Sequence, residues 1–438
     1  MGQRMIMRHN RLFASVRLFM GQFAMQPLSD NQVESGGKRA YDQQFMEPIH
    51  YELIDRADAL QAALACLKGR RCLALDLEME NQRHHYGLHV ALIQISTAEH
   101  HNFIFDPLAG LDLAPLNAIF SNPQIELIVH DADFDRRTCR QVYGLNLINV
   151  FDTKIAAQLC GFRKFGLANL LQDLLNIQTD KKFQKIDWLK RPLLKEALDY
   201  AARDTASLHT LKDILTRKLV ELGRIDWARE EFRRAEQIEP APDLTPPHHR
   251  IKQSALLTSR QLAILGSLTR LRDEVARSVN RPVHFIIRND LLLRMAVQPP
   301  ATILELRQVK SLHPALYREH MAQRLLEAVR QGQAAPEETH PHRTKRSRSK
   351  PGYEQRLKAM QAWRALMAAP YGLEPYLMLS NDVLQWAARH SDQPMPPDVA
   401  GQIRTWQKKI VWERFAHQFL APASKPPAPR ANELDLKV

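Results

Sequence analysis

The sequence predicts an α/β layered domain followed by two small all-α units, and three observations carry that expectation. Between about residues 47 and 222, short apolar β-like runs alternate with helical stretches. Two proline-containing segments, 239–247 and 334–352, break regular structure, because proline lacks an N–H and restricts the residue before it. After the first of these segments the apolar spacing is helical. The expected boundaries are a non-core extension over 1–45, the α/β domain over 46–236, a Pro-rich linker over 237–253, a helical unit over 254–333, a basic linker over 334–352, a second helical unit over 353–420 and a disordered tail over 421–438.

Each element has its own signal. Cys72-Leu-Ala-Leu-Asp-Leu-Glu78, Val90-Ala-Leu-Ile-Gln-Ile-Ser96 and Asn102-Phe-Ile-Phe105 read as three consecutive strands forming a meander. Leu113 to Phe120 reads as helix, Ile125 to Val129 as a buried strand and Asp133 to Tyr143 as helix. A short strand ends at Phe151, and helices dominate from Thr153 onward. In the first helical unit Leu262, Leu265, Leu268, Leu271 and Val275 recur at helical spacing. The basic linker carries Arg343, Lys345, Arg346, Arg348 and Lys350, a composition that cannot bury a core. The first 29 residues hold Arg4, Arg8, Arg11 and Arg17 and no acid, with Met5, Met7, Met20 and Met25 among them. They read either as a transit-like segment or as sequence upstream of a later start, and no apolar core with a small-residue cleavage site marks a secretory signal.

Composition narrows the function class. A chain of 438 residues has material for about three domains, and 45% hydrophobic with 25% charged residues is globular rather than disordered or fibrous. Lysine and arginine number 61 against 48 acids, a net charge of +13 that favours polyanions such as nucleic acid. Four cysteines without a C-x-x-C pair argue against a disulfide framework or zinc ribbon and for a reducing cytoplasm. No run approaches the length of a membrane span, so no membrane partner is expected.

The chemistry resides in carboxylates. Asp76 and Glu78 stand two apart on a strand, so both point to one face, an arrangement that suits a hard divalent cation. Asp135 falls in the first turn of a helix, where Asp131 and Asp133 compete for the same role. Tyr200 and Asp204 are spaced i, i+4 and share a helix face. Taken singly, each has an ordinary structural explanation as a strand-edge charge, a helix-start acid or an interfacial tyrosine. As a set, four acids can surround two divalent ions, one serving the attacking water and the other the leaving 3′-oxygen.

The motif order Leu73-Ala-Leu-Asp76-Leu-Glu78, Val129-His130-Asp-Ala-Asp-Phe-Asp135, Phe151-Asp152-Thr-Lys-Ile-Ala-Ala157, Asp187-Trp-Leu-Lys-Arg191-Pro192 and Tyr200-Ala-Ala-Arg-Asp204 closely resembles the ribonuclease D family of DEDDy 3′–5′ exonucleases over about residues 50–215. The resemblance implies a ribonuclease H-like mixed sheet flanked by helices. It also implies two Mg²⁺ or Mn²⁺ ions held by Asp76, Glu78, Asp135 and Asp204, with Tyr200 positioning the water. Two positions depart from the family pattern. Leu77 replaces the usual Thr or Ser and is expected to face the core, and Met79 replaces a frequent Phe, bearing on how a terminal base would stack. The helical units resemble HRDC domains, the first from Leu257 to about Val329 and the second, more weakly, through Trp363-Arg364 and Leu373 to Asp382. Arg270, Arg272 and Arg281 are candidate phosphate-backbone contacts, each equally readable as a solvated surface arginine.

The pairs His84-His85, His100-His101 and His248-His249 invite a zinc reading, but adjacent residues on a strand face opposite ways and no cysteine has ligand spacing to them, so zinc is not expected. Trp188 and Trp227 read as packing residues. The leading functional expectation is a metal-dependent 3′–5′ exoribonuclease releasing nucleoside 5′-monophosphates from RNA 3′ ends, with tRNA precursors as substrate, acting as a monomer. Action on single-stranded DNA is the alternative. A non-catalytic nucleic-acid-binding adaptor is a third reading, disfavoured because carboxylates concentrated beside phosphates would serve it poorly.

Overall fold

The computed structural model describes residues 49–179, 181–237, 244–339, 351–390 and 393–420. The N-terminal extension expected over 1–45, most of the basic linker and the C-terminal tail lie outside the described residues.

Six strands form one mixed sheet: β1 (Glu52–Ile54), β2 (Cys72–Asn81), β3 (Leu88–Thr97), β4 (Asn102–Phe105), β5 (Glu126–Val129) and β6 (Val150–Asp152), in the order β1-β4-β3-β2-β5-β6. The expected meander is β2-β3-β4, antiparallel throughout, while β1, β5 and β6 join in parallel. The sequence reading missed β1, because three residues are too few to show alternation.

The period of two along β2 sorts its side chains. Leu73, Leu75 and Leu77 face a core shared with helix α1 (Ala57–Leu67) and helix α2 (Ala132–Tyr143). Ala74 faces the other side, where α3 (Thr153–Cys160), α4 (Leu167–Leu175) and the long α5 (Lys195–Glu221) pack. Asp76 and Glu78 share the Ala74 face. Helix α5 is fixed over that face by a buried hydrogen bond from Ser96 Oγ of β3 to Thr205 Oγ1 at 2.7 Å, and His209 Nε2 donates to the Ser96 carbonyl at 2.9 Å.

Helix α6 (Ile225–Gln237) returns along the sheet edge, its Phe232 ring 4.8 Å from Phe151. Beyond it the structure describes the linker again from residue 244. Pro246 and Pro247 lead into a 3₁₀ turn over Pro247–Arg250, and a second spans Ser254–Leu256. Proline suits the first position of such a turn, where its missing N–H has no partner to lose.

The first helical unit is built on α7 (Ser259–Ser278), α8 (Asn289–Val297) and α9 (Glu319–Ala334) around its own apolar core. Thr258 and Gln261 form a capping box that starts α7. Gly332 lets α9 cross close to α7, since a Cβ there would collide with the Ile264 backbone. The second unit contains α10 (Tyr353–Ala368), α11 (Asn381–Arg389) and α12 (Glu413–Phe419), and its core is continuous with that beneath the sheet. Trp227 of α6 stacks on Trp406 at 4.5 Å, and Arg224 donates to the carbonyls of Leu159 and Tyr371 at 2.7 Å each. Trp227 is therefore a packing residue, as expected.

The two helical units repeat one buried lock. Arg272 Nη1 donates to the Ile287 carbonyl and the Asn289 side chain, 15 and 17 residues along the chain. Arg364 Nη1 donates to the Leu379 carbonyl and the Asn381 side chain, again 15 and 17 residues along. This corrects the expectation that Arg272 meets phosphate: at 6% exposure it is an internal brace. Among the described residues no helix is long and apolar enough to cross a membrane.

Candidate active site

Strand β2 brings Asp76 and Glu78 to the sheet face, and α5 lowers Asp204 onto them, so that one carboxylate oxygen from each of the three lies within 4.8 Å of the others. Asp204 is 6% exposed and Asp135 is 7% exposed, buried in the first turn of α2. The competition among three aspartates is resolved by their surroundings. Asp131 pairs with Lys154 and Asp133 with Arg137, both on the exposed side of the helix, whereas Asp135 feels the charge of Asp76.

Burial raises every one of these acids, and the charges of neighbouring acids add to it at Glu78, Asp135 and Asp204. Burial pushes Asp76 up to about 6, despite a hydrogen bond from the Leu77 backbone. Burial, then the charges of Asp76, Asp204 and Asp135, hold Glu78 well above the usual range. Burial and Asp76 raise Asp135 strongly and lift Asp204 to about 8, although the Tyr200 hydroxyl donates to the Asp204 carboxylate. Tyr200 is itself pushed up by burial and by Asp204, and therefore keeps its proton as a donor. Its ring is set by Phe183 at 5.7 Å and Trp188 at 6.3 Å, and Trp188 is buried as a packing residue.

Sequence reasoning overlooked two features of this centre. Asp152, at the end of β6, accepts the backbone N–H groups of Asp131, Ala132, Lys154 and Ile155 at 2.8–3.2 Å. It thereby caps α3 and holds Asp131 in a left-handed conformation (φ 66°), from which α2 starts with Asp135 facing inward. The Phe151-Asp152-Thr153 motif was legible, but this many-partnered role was not. The second is Gln94, directly opposite Asp76 in the β2-β3 register, fully buried, with neither amide atom partnered among the described residues. An unpaired buried amide beside the acids, together with mutually repelling carboxylates, suits a site that holds divalent cations.

Among the other candidates, Met79 follows Glu78 on β2 and is half-buried against the cluster that contains Leu77. Arg281 is exposed just beyond α7. Arg270 is exposed, donates to Ser267 Oγ at 2.8 Å, and lines a cleft of about 670 Å³ with Glu274, Arg324 and Arg330. The β2-β3 loop reaches the first helical unit: Tyr86 donates to Asp273 at 2.9 Å and lies beneath Arg277, and His85 meets Asp187 at 2.9 Å and Asn280 at 3.2 Å. Arg191 clasps Asp106 with two nitrogens at 2.7 and 2.8 Å, anchoring the Asp187-to-Pro192 segment to the sheet.

Comparison with known proteins agrees with this geometry. The 3′–5′ exonuclease domain family matches residues 51–220 and the HRDC domain family matches residues 261–329. Ribonuclease D of Escherichia coli is 28% identical over 83% of this chain and 97% of its own length. Exosome complex component 10 homolog of Caenorhabditis elegans is 32% identical over 57% of this chain, which spans only 29% of that longer protein. The crystal structure of E. coli RNase D, described as an exoribonuclease involved in structured RNA processing, superposes with a TM-score of 0.65 at 26% identity, covering 85% of this chain and all of that one.

Proposed function

We propose that the chain is a ribonuclease D-type 3′–5′ exonuclease, in keeping with its matches to the 3′–5′ exonuclease and HRDC families and to ribonuclease D, and that it hydrolyses RNA from the 3′ end at Asp76, Glu78, Asp135, Asp204 and Tyr200, releasing nucleoside 5′-monophosphates, with tRNA precursors as substrate. The observation that carries the reading is the convergence of three carboxylate oxygens within 4.8 Å of one another on the sheet face, with buried Asp135 at their side.

Asp76, Glu78, Asp135 and Asp204 would hold two Mg²⁺ or Mn²⁺ ions, their hard oxygens matching those cations. When bound, such ions stabilise charge developing on phosphoryl oxygens by several kcal/mol and favour ionisation of the attacking water. Tyr200 supplies a protonated hydroxyl held against Asp204, placed to orient that water by hydrogen bonding. Asp152 and the Ser96–Thr205 bond hold the start of α2 and the middle of α5 against the sheet, which keeps Asp135 and Asp204 on the side of Asp76 and Glu78. Arg270 and Arg281 are proposed backbone-phosphate contacts of the first helical unit, and the second unit, with the same arginine lock, is proposed as a further HRDC-like unit. A reducing cytoplasmic setting is part of the proposal, in keeping with four cysteines that include no C-x-x-C pair.

RNA as the substrate is supported by relatives named ribonuclease D. The test is hydrolysis of a 3′-extended tRNA and a matched single-stranded DNA with Mg²⁺, with Mn²⁺ and with EDTA. Metal-dependent release of mononucleotides from the RNA is expected. Preferred cleavage of the DNA would overturn the substrate assignment, and tight binding without turnover would overturn the enzymatic one.

A further inference from the structure

A second group of metal-ligating side chains lies away from the carboxylate centre, where the chain enters and leaves the first helical unit. His248 Nε2 lies 2.8 Å and His249 Nε2 2.7 Å from the same oxygen, Oε1 of Glu338. The two imidazoles are 9% and 6% exposed and the carboxylate 29%. One ligand atom from each of the three residues lies within 4.8 Å of the others. We infer that His248, His249 and Glu338 form a binding site for a zinc-class divalent transition-metal ion, distinct in chemistry and position from the carboxylate centre.

Neighbouring histidines were set aside at the sequence level because a strand would turn them to opposite faces. His248 and His249 lie instead in the 3₁₀ turn Pro247–Arg250. Its three residues per turn rotate successive side chains by about 120° rather than 180°, so adjacent rings can converge. Their centroids are 4.5 Å apart and their planes 48° from one another, which directs both nitrogens to one point without stacking. Gly266 of α7 leaves room behind them: a Cβ there would lie 3.3 Å from the His248 ring and 3.5 Å from Glu338 Oε2.

The donor set selects the ion. Two imidazole nitrogens with one carboxylate suit zinc, copper or nickel, whereas magnesium and calcium prefer oxygen donors. Zinc bonds of about 2.0–2.2 Å to nitrogen and oxygen place tetrahedral ligand atoms roughly 3.3 Å apart. The present 2.7 and 2.8 Å separations would therefore open by about half an ångström. Three protein ligands leave one position for water, as in an open zinc site. Glu338 supplies the one negative charge of the ligand set, set against the positive charge of Arg270 nearby. Ligands 90 residues apart would tie the entry of the helical unit to its exit.

The test uses the full-length chain, stripped with chelator and held in excess Mg²⁺ so that hard-cation sites are occupied. Zn²⁺ is titrated calorimetrically, and Co²⁺ serves as a probe through its visible absorption. One Zn²⁺ per chain at micromolar or tighter affinity is expected, with the absorption of a nitrogen-ligated Co²⁺ complex. Glu338→Gln, which keeps a hydrogen-bond acceptor but removes the charge, should weaken binding at least tenfold, as should His249→Ala, while Asp76→Asn should leave it unchanged. Absence of binding in Mg²⁺, binding unaffected by Glu338→Gln, or binding lost in Asp76→Asn would each overturn the assignment. Because Glu338→Gln preserves shape, the result does not depend on whether His249→Ala folds.

Discussion

Replacing Asp76 by Asn removes the carboxylate whose charge acts on Glu78, Asp135 and Asp204. For the Asp76–Glu78 and Asp76–Asp204 pairs, separations up to 4.8 Å and an effective dielectric of about 20 give a repulsion of about 3.5 kcal/mol or more per ionised pair, so the metal-free variant is relieved of strain at alkaline pH. The sign follows from proton linkage. Acids raised in the folded state hold protons that the unfolded chain has lost, so the metal-free protein loses stability as pH rises from about 4, past the value near 6 of Asp76, to the value near 8 of Asp204. Asp76→Asn should flatten that decline and unfold at a higher temperature than the parent at pH 8 in EDTA. It should also lose the stabilisation that Mg²⁺ gives the parent. Loss of about 4 kcal/mol of transition-state stabilisation corresponds to a fall of about 10³ in turnover. Thermal unfolding at pH 5 and 8, with and without Mg²⁺, combined with RNA hydrolysis rates, checks both halves. Retained turnover, or a metal-free variant less stable than the parent at pH 8, would refute the charge-cluster reasoning.

Three further outcomes are expected. Asp152→Ala strips an acceptor from four backbone N–H groups and should cost about 1–3 kcal/mol in urea denaturation while lowering turnover, and unchanged stability would contradict its capping role. Tyr200→Phe keeps the ring against Phe183 and Trp188 but loses the hydroxyl; turnover should fall about 10²-fold with the melting temperature maintained, and full activity would exclude a role in orienting water. Gln94→Leu removes a buried unpaired amide, so the metal-free protein should gain stability while metal affinity by calorimetry falls; a destabilised variant with normal metal binding would make Gln94 an ordinary core residue.

Much of the centre was readable because it follows from local geometry. Period-two alternation places Asp76 and Glu78 on one face with Leu77 opposite, and i, i+4 spacing places Tyr200 beside Asp204. These relations hold wherever the strand and helix come to rest. Apolar periodicity and proline-rich breaks likewise marked the layered domain and two helical units, although three-residue β1 carried too little pattern to detect.

Long-range packing decided the rest. Asp133 pairs locally with Arg137 four residues along α2, but the choice between Asp131 and Asp135 waits on distant segments: Lys154 claims Asp131, and Asp152 sets the angle at which Asp135 enters the sheet. Arg272 reads as a surface cation until the helical unit closes over it, and only that closure supplies the Ile287 carbonyl that satisfies it. His248 and His249 acquire a shared target because the segment following α9 brings Glu338 to them from 90 residues away. The sequence by itself determined which residue types share a strand or helix face, since that depends on repeat geometry alone. Which faces meet, and which charges are stripped of water when they do, depended on contacts between distant segments, and only the tertiary structure could decide them.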